Sequence, residues 1–229
     1  MITTKKVAKF RLLACAKALF GIYFLAACSA LPVPPMQAVE YDFGLAPLAN
    51  GAPQPAQVHT PQAQGRAPVV LAAMESPGIP EGSAALQYRL AYDSAQQLRA
   101  YQQARWSQPP ADLVQQAVAS ELARHRPVLS GGAARAAARN SASGTLVLRL
   151  ELQEFSQIFT SPAQSAGVLR LRATLAESRA QGDVLRAQRV FATQVPATSA
   201  DAAGGSAALA DAAARTAREL AQWVEQAAH

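Results

Sequence analysis

The chain has 229 residues, half of them hydrophobic, which suits one domain with extensions or two small domains and allows a sizeable core. Its formal charge of +6 is unevenly spread: Lys5, Lys6, Lys9, Arg11 and Lys17 precede residue 18 without an acidic residue, whereas from residue 28 onward 16 Arg meet 15 Asp and Glu, a net +1. A body this close to neutral has little pull on a polyanion, which argues against nucleic-acid binding. The basic start reads instead as a targeting segment: residues 1–17 form its charged region and residues 18–27 (ALFGIYFLAA) its apolar region. Ten residues of helix span about 15 Å, half a bilayer core, and Lys17 interrupts any longer run, so residues 1–27 are expected to be a signal peptide rather than a membrane span.

Leu25, Ala26, Ala27 and Cys28 close that segment. They resemble the bacterial lipobox, an aliphatic residue and two small ones before a cysteine. Small side chains let the backbone enter a peptidase cleft, and the thiol is the nucleophile that carries a thioether-linked lipid. The resemblance implies cleavage before Cys28, lipidation (including palmitate) on it, and anchoring at about 0.8 kcal/mol per buried methylene. Ser29 follows where Asp favours inner-membrane retention in enterobacterial lipoproteins. The expected location is therefore the periplasmic face of the outer membrane, ahead of the inner membrane. With Cys15 removed and Cys28 capped, the mature chain has no disulfide and no thiolate for catalysis or metal binding.

Residues 28–35 are the lipidated cysteine and a short proline-rich tether, extended at about 3.1 Å per residue, so the folded body should sit near its membrane. The remainder, 36–229, is expected to form a single α+β periplasmic domain. Residues 36–44 suggest a first strand ended by Gly44, and 45–66 an irregular Pro/Gln-rich loop. Residues 67–75 suggest a strand, and Pro77, Gly78, Pro80 and Gly82 a turn cluster. Alternation of Leu86, Tyr88, Leu90 and Tyr92 marks a half-buried strand. Residues 97–106 fit the second arm of a hairpin, with helix as the competing reading. Pro109-Pro110 opens a helix carrying Val114, Ala117, Val118 and Leu122, ended by Pro127. Residues 130–143, with Gly131-Gly132, read as a linker or a frayed helix.

Residues 145–155, 168–177 and 184–195 alternate strongly and predict an antiparallel meander, with Gly182-Asp183 in the last tight turn. A final helix begins near Asp201, an N-cap, and carries a stripe of Leu209, Ala213, Thr216, Leu220 and Val224, flanked by Ala217 and Trp223. Gly204-Gly205 weakens its first turn by about 1 kcal/mol per glycine, which hints at close helix–sheet approach or a later start. The small-residue stripe predicts packing on a sheet rather than on another helix. The fold class is thus α+β: an antiparallel sheet, the C-terminal meander plus N-terminal strands, covered on one face by two amphipathic helices.

An ordered set of pieces spans nearly the whole mature chain. It comprises the lipobox, Tyr41-Asp42-Phe43-Gly44, Tyr88-Arg89-Leu90-Ala91-Tyr92, Ala104-Arg105-Trp106 before Pro109-Pro110-Ala111-Asp112-Leu113, Leu150-Glu151-Leu152-Gln153-Glu154-Phe155, Asp201-Ala202-Ala203-Gly204-Gly205 and Trp223. This set resembles the ABC-type transport auxiliary lipoproteins, which include paraquat-inducible protein C. The resemblance implies a non-enzymatic accessory subunit of an MCE-type ABC lipid (phospholipid) transport system. Its partners would be the membrane, through the lipid on Cys28, and the periplasmic MCE protein, docked at the outer membrane. The 45–66 segment is longer than the family pattern leads one to expect and obscures the register of the first strands. Two other classes fit a tethered module: an accessory lipoprotein for cell-wall synthase activation or envelope assembly, and a direct lipid carrier. The carrier needs an enclosed apolar cavity, whereas alanine-rich stripes predict a filled core. Sheet edges or helix surfaces offer a route to a homo-oligomer.

No catalytic, cofactor or metal site is predicted. His59, His125 and His229 lie at unrelated positions, and a metal centre needs about three convergent ligands. His125 suits the macrodipole at a helix end. Glu151 and Glu154 cannot share a face of a regular strand, so no carboxylate dyad is supported. The candidate partner contacts are Arg149, Arg170, Arg172, Phe155, Ile158 and Phe159. The arginines fall on the polar sheet face, either as a solvated surface with Arg149 and Glu151 in cross-strand pairs or as a basic strip for phospholipid headgroups or an acidic partner. The three apolar residues form either a satellite core or an exposed contact. Tyr88, Tyr92 and Trp106 are expected to pack on the first helix.

Overall fold

The strand β6 (Thr145–Ser161) is the spine of the fold, and its 17 residues follow from leucines at every second position. The computed structural model describes residues 37–44, 66–80, 82–131, 144–179 and 181–228. Ala38–His229 forms one compact unit; the other, Met1–Gln37, lies almost wholly outside the described residues, with Leu25, Ala26, Ala27, Cys28 and the tether. Also outside are 45–65 and 132–143, on which the loop and linker readings fall, and His59 and His229.

Eight strands and two helices are described, making an α+β architecture. One edge of β6 pairs along its whole length with antiparallel β7 (Gln164–Arg179), which pairs with antiparallel β8 (Gly182–Pro196), so the meander has the predicted sense. Its turns shift: Arg179 pairs with Gly182, which places Gly182-Asp183 at the start of β8 rather than in the turn. The other edge of β6 is divided between two short strands. β2 (Val69–Leu71) lies parallel to its beginning and β3 (Ala85–Leu90) parallel to its end. Between them Glu75 bridges to Glu151.

β3 forms the hairpin with β4 (Ser94–Trp106), so residues 97–106 are strand, not helix. The short β1 (Val39–Tyr41) adds parallel to β4, and β5 (Val128–Leu129) adds parallel to β2. The sheet is therefore mixed, and the expectation of a purely antiparallel one is corrected. Alternation within a strand reports its faces but not the direction of the neighbour that a distant segment supplies.

The helices are α1 (Pro110–Leu122) and α2 (Ala202–Ala227). Pro110 opens α1, where a missing N–H costs nothing. Asp201 caps α2, its side chain accepting from the Gly204 N–H at 2.8 Å. All seven residues predicted for the α2 stripe are buried. The buried face is wider than that stripe, adding Ala208, Ala212 and Ala221. Hence α2 packs on β6, β7 and β8 and also against α1, contrary to the expectation that it would avoid another helix. The approach is close: a Cβ on Gly167 of β7 would lie 2.7 Å from the backbone of Ala208 and Leu209, and one on Gly205 would strike the Gln157 side chain.

A bulge at Gln153 shifts the register, since Leu152 pairs with Leu171 while Glu154 pairs with Arg170. Leu148, Leu150 and Leu152 face the helices; beyond the bulge the inward positions are Phe155, Gln157 and Phe159. Phe43, Trp106 and Phe155 form an aromatic cluster with centroids 5.5–6.0 Å apart. Tyr88 packs against Tyr101 and Phe159, with centroids 4.7 and 5.9 Å away. Tyr92, in the β3–β4 turn, is 49% exposed.

Candidate functional site

The sheet surface opposite the helices gathers the charged residues. Because of the bulge, Glu151 and Glu154 both lie on it, which corrects the expectation for a regular strand. They are not a dyad. Arg172 pairs with Glu151 at 3.0 Å, and Arg89 of β3 pairs with Glu154 at 3.1 Å. Ser156 donates to Glu154 at 2.5 Å. Each carboxylate is thus committed to its own guanidinium across a strand boundary.

The three predicted arginines share this surface. Arg149 pairs with Asp183 at 2.5 Å, and this bond, with one from Ser178, holds the Asp183 carboxyl below its usual range. Arg170 donates only to the neutral Gln153, at 3.2 Å, and makes no ion pair among the described residues. The polar face is mainly self-compensated, and Arg170 carries its available charge.

The predicted apolar trio is split. Phe155 and Phe159 are 2% and 7% exposed and belong to the core, because the bulge turns them inward. Ile158 is half-buried on the outer face. Exposed apolar side chains that the sequence reading did not single out occur on β8: Val184, Leu185 and Val190. β8 also presents an edge that pairs with no other described strand. Regular alternation could have flagged Val190, whereas the second register shift, between Leu175 and Ala176, hides Leu185.

A second charged cluster ties the segments before β2 and after α1 to the end of α2. Arg126, 3% exposed, donates to Glu225 at 2.5 Å, and Arg66 donates to the same carboxylate at 2.6 Å. Burial raises the Glu225 pKa, but the Arg126 hydrogen bond and charge, with help from Arg66 and His125, outweigh it and hold the group low. His125 lies 3.9 Å from Glu121 at the end of α1. Burial, chiefly, and the neighbouring Tyr88, Asp201 and Tyr41 push Tyr101 up to about 12. Its hydroxyl stays protonated and donates to Gln157 at 2.8 Å.

A cleft of about 280 Å³ lies beside α1, lined by Leu71, Gln108, Asp112, Gln115, Gln116, Ala119 and Ser130. Among the described residues no group of three or more His, Cys, Asp or Glu is placed to hold a metal ion, and no helix is long and apolar enough to cross a membrane.

Comparison with known proteins adds three findings. The family model described as "ABC-type transport auxiliary lipoprotein component" matches residues 51–221. The crystal structure of protein XCC0632 from Xanthomonas campestris is similar with a TM-score of 0.57 and 21% identity, covering 69% of this chain and 84% of that one. That of an uncharacterized protein is similar at 0.52 and 13%, covering 69% and 92%. At these identities the likeness concerns the fold alone. No curated protein matches.

Proposed function

The chain belongs to the ABC-type transport auxiliary lipoprotein components, and on that premise we propose a non-enzymatic adaptor held by lipid on Cys28 to the periplasmic face of the outer membrane. There it docks the MCE-domain protein of an ABC lipid transport system. The observation that carries the reading is the family match over residues 51–221, joined to the lipobox of Leu25 to Cys28. A filled core supports an adaptor over a carrier: Ala208, Ala212, Ala213, Ala217 and Ala221 seat α2 closely on its neighbours. The cleft beside α1 is lined by three glutamines, poor company for an acyl chain.

The mechanism is positional. Lipid fixes the module at the inner leaflet, and an exposed surface meets the end of the conduit. Arg170, lacking an ionic partner on the polar face, is the charge offered to an acidic surface. The test is capture with the full lipidated chain, solubilised from membranes in mild detergent. Enrichment of an MCE-domain protein is the expected result. Enrichment of a penicillin-binding protein instead overturns it, as does equal palmitate labelling of wild type and Cys28→Ala.

A further inference from the structure

We infer that the end of the sheet carrying the β3–β4 and β6–β7 turns is the face of this protein that rests on the bilayer, with Tyr92 at the lipid interface. This rests on the lipid-anchor reading of Cys28 and adds an orientation to it. The first observation is the direction in which the chain enters. β1 runs parallel to β4, with Val39 beside Ala104. The end of β1 at which the chain enters therefore faces the Ser94 end of β4 and the turn that holds Tyr92.

The second observation is height. The pairings of Ala85 with Arg105 and of Tyr88 with Gln157 put Val39 level with about Phe155 of β6. From there the β6–β7 turn beyond Ser161 is about 20 Å away, and the far end of β6 at Thr145 about 33 Å, at 3.3 Å per residue. Ten residues, 29–38, separate Cys28 from Val39, which makes eleven residue steps. A chain of that length has a relaxed end-to-end distance of roughly 18 Å and reaches about 34 Å as polyproline II. The near end therefore meets the membrane with a relaxed tether. The far end would need the tether drawn out to nearly its full polyproline length.

The third observation is chemistry. Tyr92 is 49% exposed at the tip of the near end, where the one acidic neighbour in its turn, Asp93, is paired with Arg99 at 3.6 Å and the adjoining β6–β7 turn of Ser161, Pro162, Ala163 and Gln164 bears no charge. An amphipathic ring at such a tip suits the headgroup level. The far end also exposes Val184 and Leu185, but amid Arg149, Glu177, Arg179, Asp183 and Arg186.

The experiment uses the full lipidated protein in vesicles of phosphatidylethanolamine and phosphatidylglycerol carrying headgroup nitroxides. Tyr92→Cys and Leu185→Cys, both at exposed positions, are labelled singly with an environment-sensitive fluorophore. The two tips lie roughly 50 Å apart, so quenching at 92 is expected to exceed that at 185 by at least about threefold. Equal quenching, or stronger quenching at 185, in protein shown by mass to carry acyl chains on Cys28 overturns the orientation and leaves the anchor intact. Absence of those acyl chains overturns both.

Discussion

At Gly167 the missing side chain is a packing requirement. The atoms a methyl would meet are α2 backbone, which cannot yield without lifting the helix from the sheet. Gly167→Ala is expected to cost about 1–3 kcal/mol, read from urea denaturation. Glu225 shows the opposite dependence, on a group that is present. Glu225→Gln leaves the Arg126 guanidinium buried without its counter-charge, an expected loss of about 3 kcal/mol in the same measurement. On the polar face, Arg170→Gln should leave stability within about 0.5 kcal/mol of wild type, since it breaks no ion pair and sets no like charge opposite Glu154. It should reduce capture of the MCE protein severalfold; unchanged capture would leave this face a solvated surface. Such residue-level facts were only partly legible in the sequence. Gly204-Gly205 hinted at close approach by breaking helix propensity, whereas Gly167 sits in a good strand pattern and gives no local sign of the helix above it.

At the scale of elements, Asp201 is the clearest case in which a sequence signal and the fold agree. Its carboxyl accepts from the Gly204 N–H and from Ser199, and these bonds hold its pKa low. Asp201→Ala should cost about 1 kcal/mol, with Asp201→Asn recovering most of it in thermal melts. The β6–β7–β8 meander was legible because leucine alternation persists over many residues. The bulge was not, since one extra residue changes phase without changing composition. That single insertion decided the candidate site, turning Phe155 and Phe159 into the core and setting Glu154 beside Arg89. The parallel pairings of β1, β2, β3 and β5 were illegible for another reason: strands of two to six residues carry little periodicity, and their partners lie far along the chain.

For the molecule as a whole, several carboxylates are held below their unfolded pKa. They include Glu177, through Arg179 and Arg186, together with Asp183, Asp201 and Glu225. A group depressed on folding contributes fully above its unfolded pKa and loses that contribution as pH falls through its folded one. The domain should therefore melt at lower temperature as pH drops through the carboxylate range. In Glu225→Gln the difference between neutral and acid melting temperatures should shrink.

The divided edge of β6 bears on how the chain reaches its destination. A polypeptide threaded N-terminus first through a translocon delivers β2 and β3 well before the strand on which both must dock. β3 has its hairpin mate at once, but Val69, Val70 and Leu71, whose other neighbour is only the two-residue β5, stay largely uncovered until the spine emerges. Folding is thus deferred until the last third of the chain has emerged, and the interval before it is where a chaperone has something to hold.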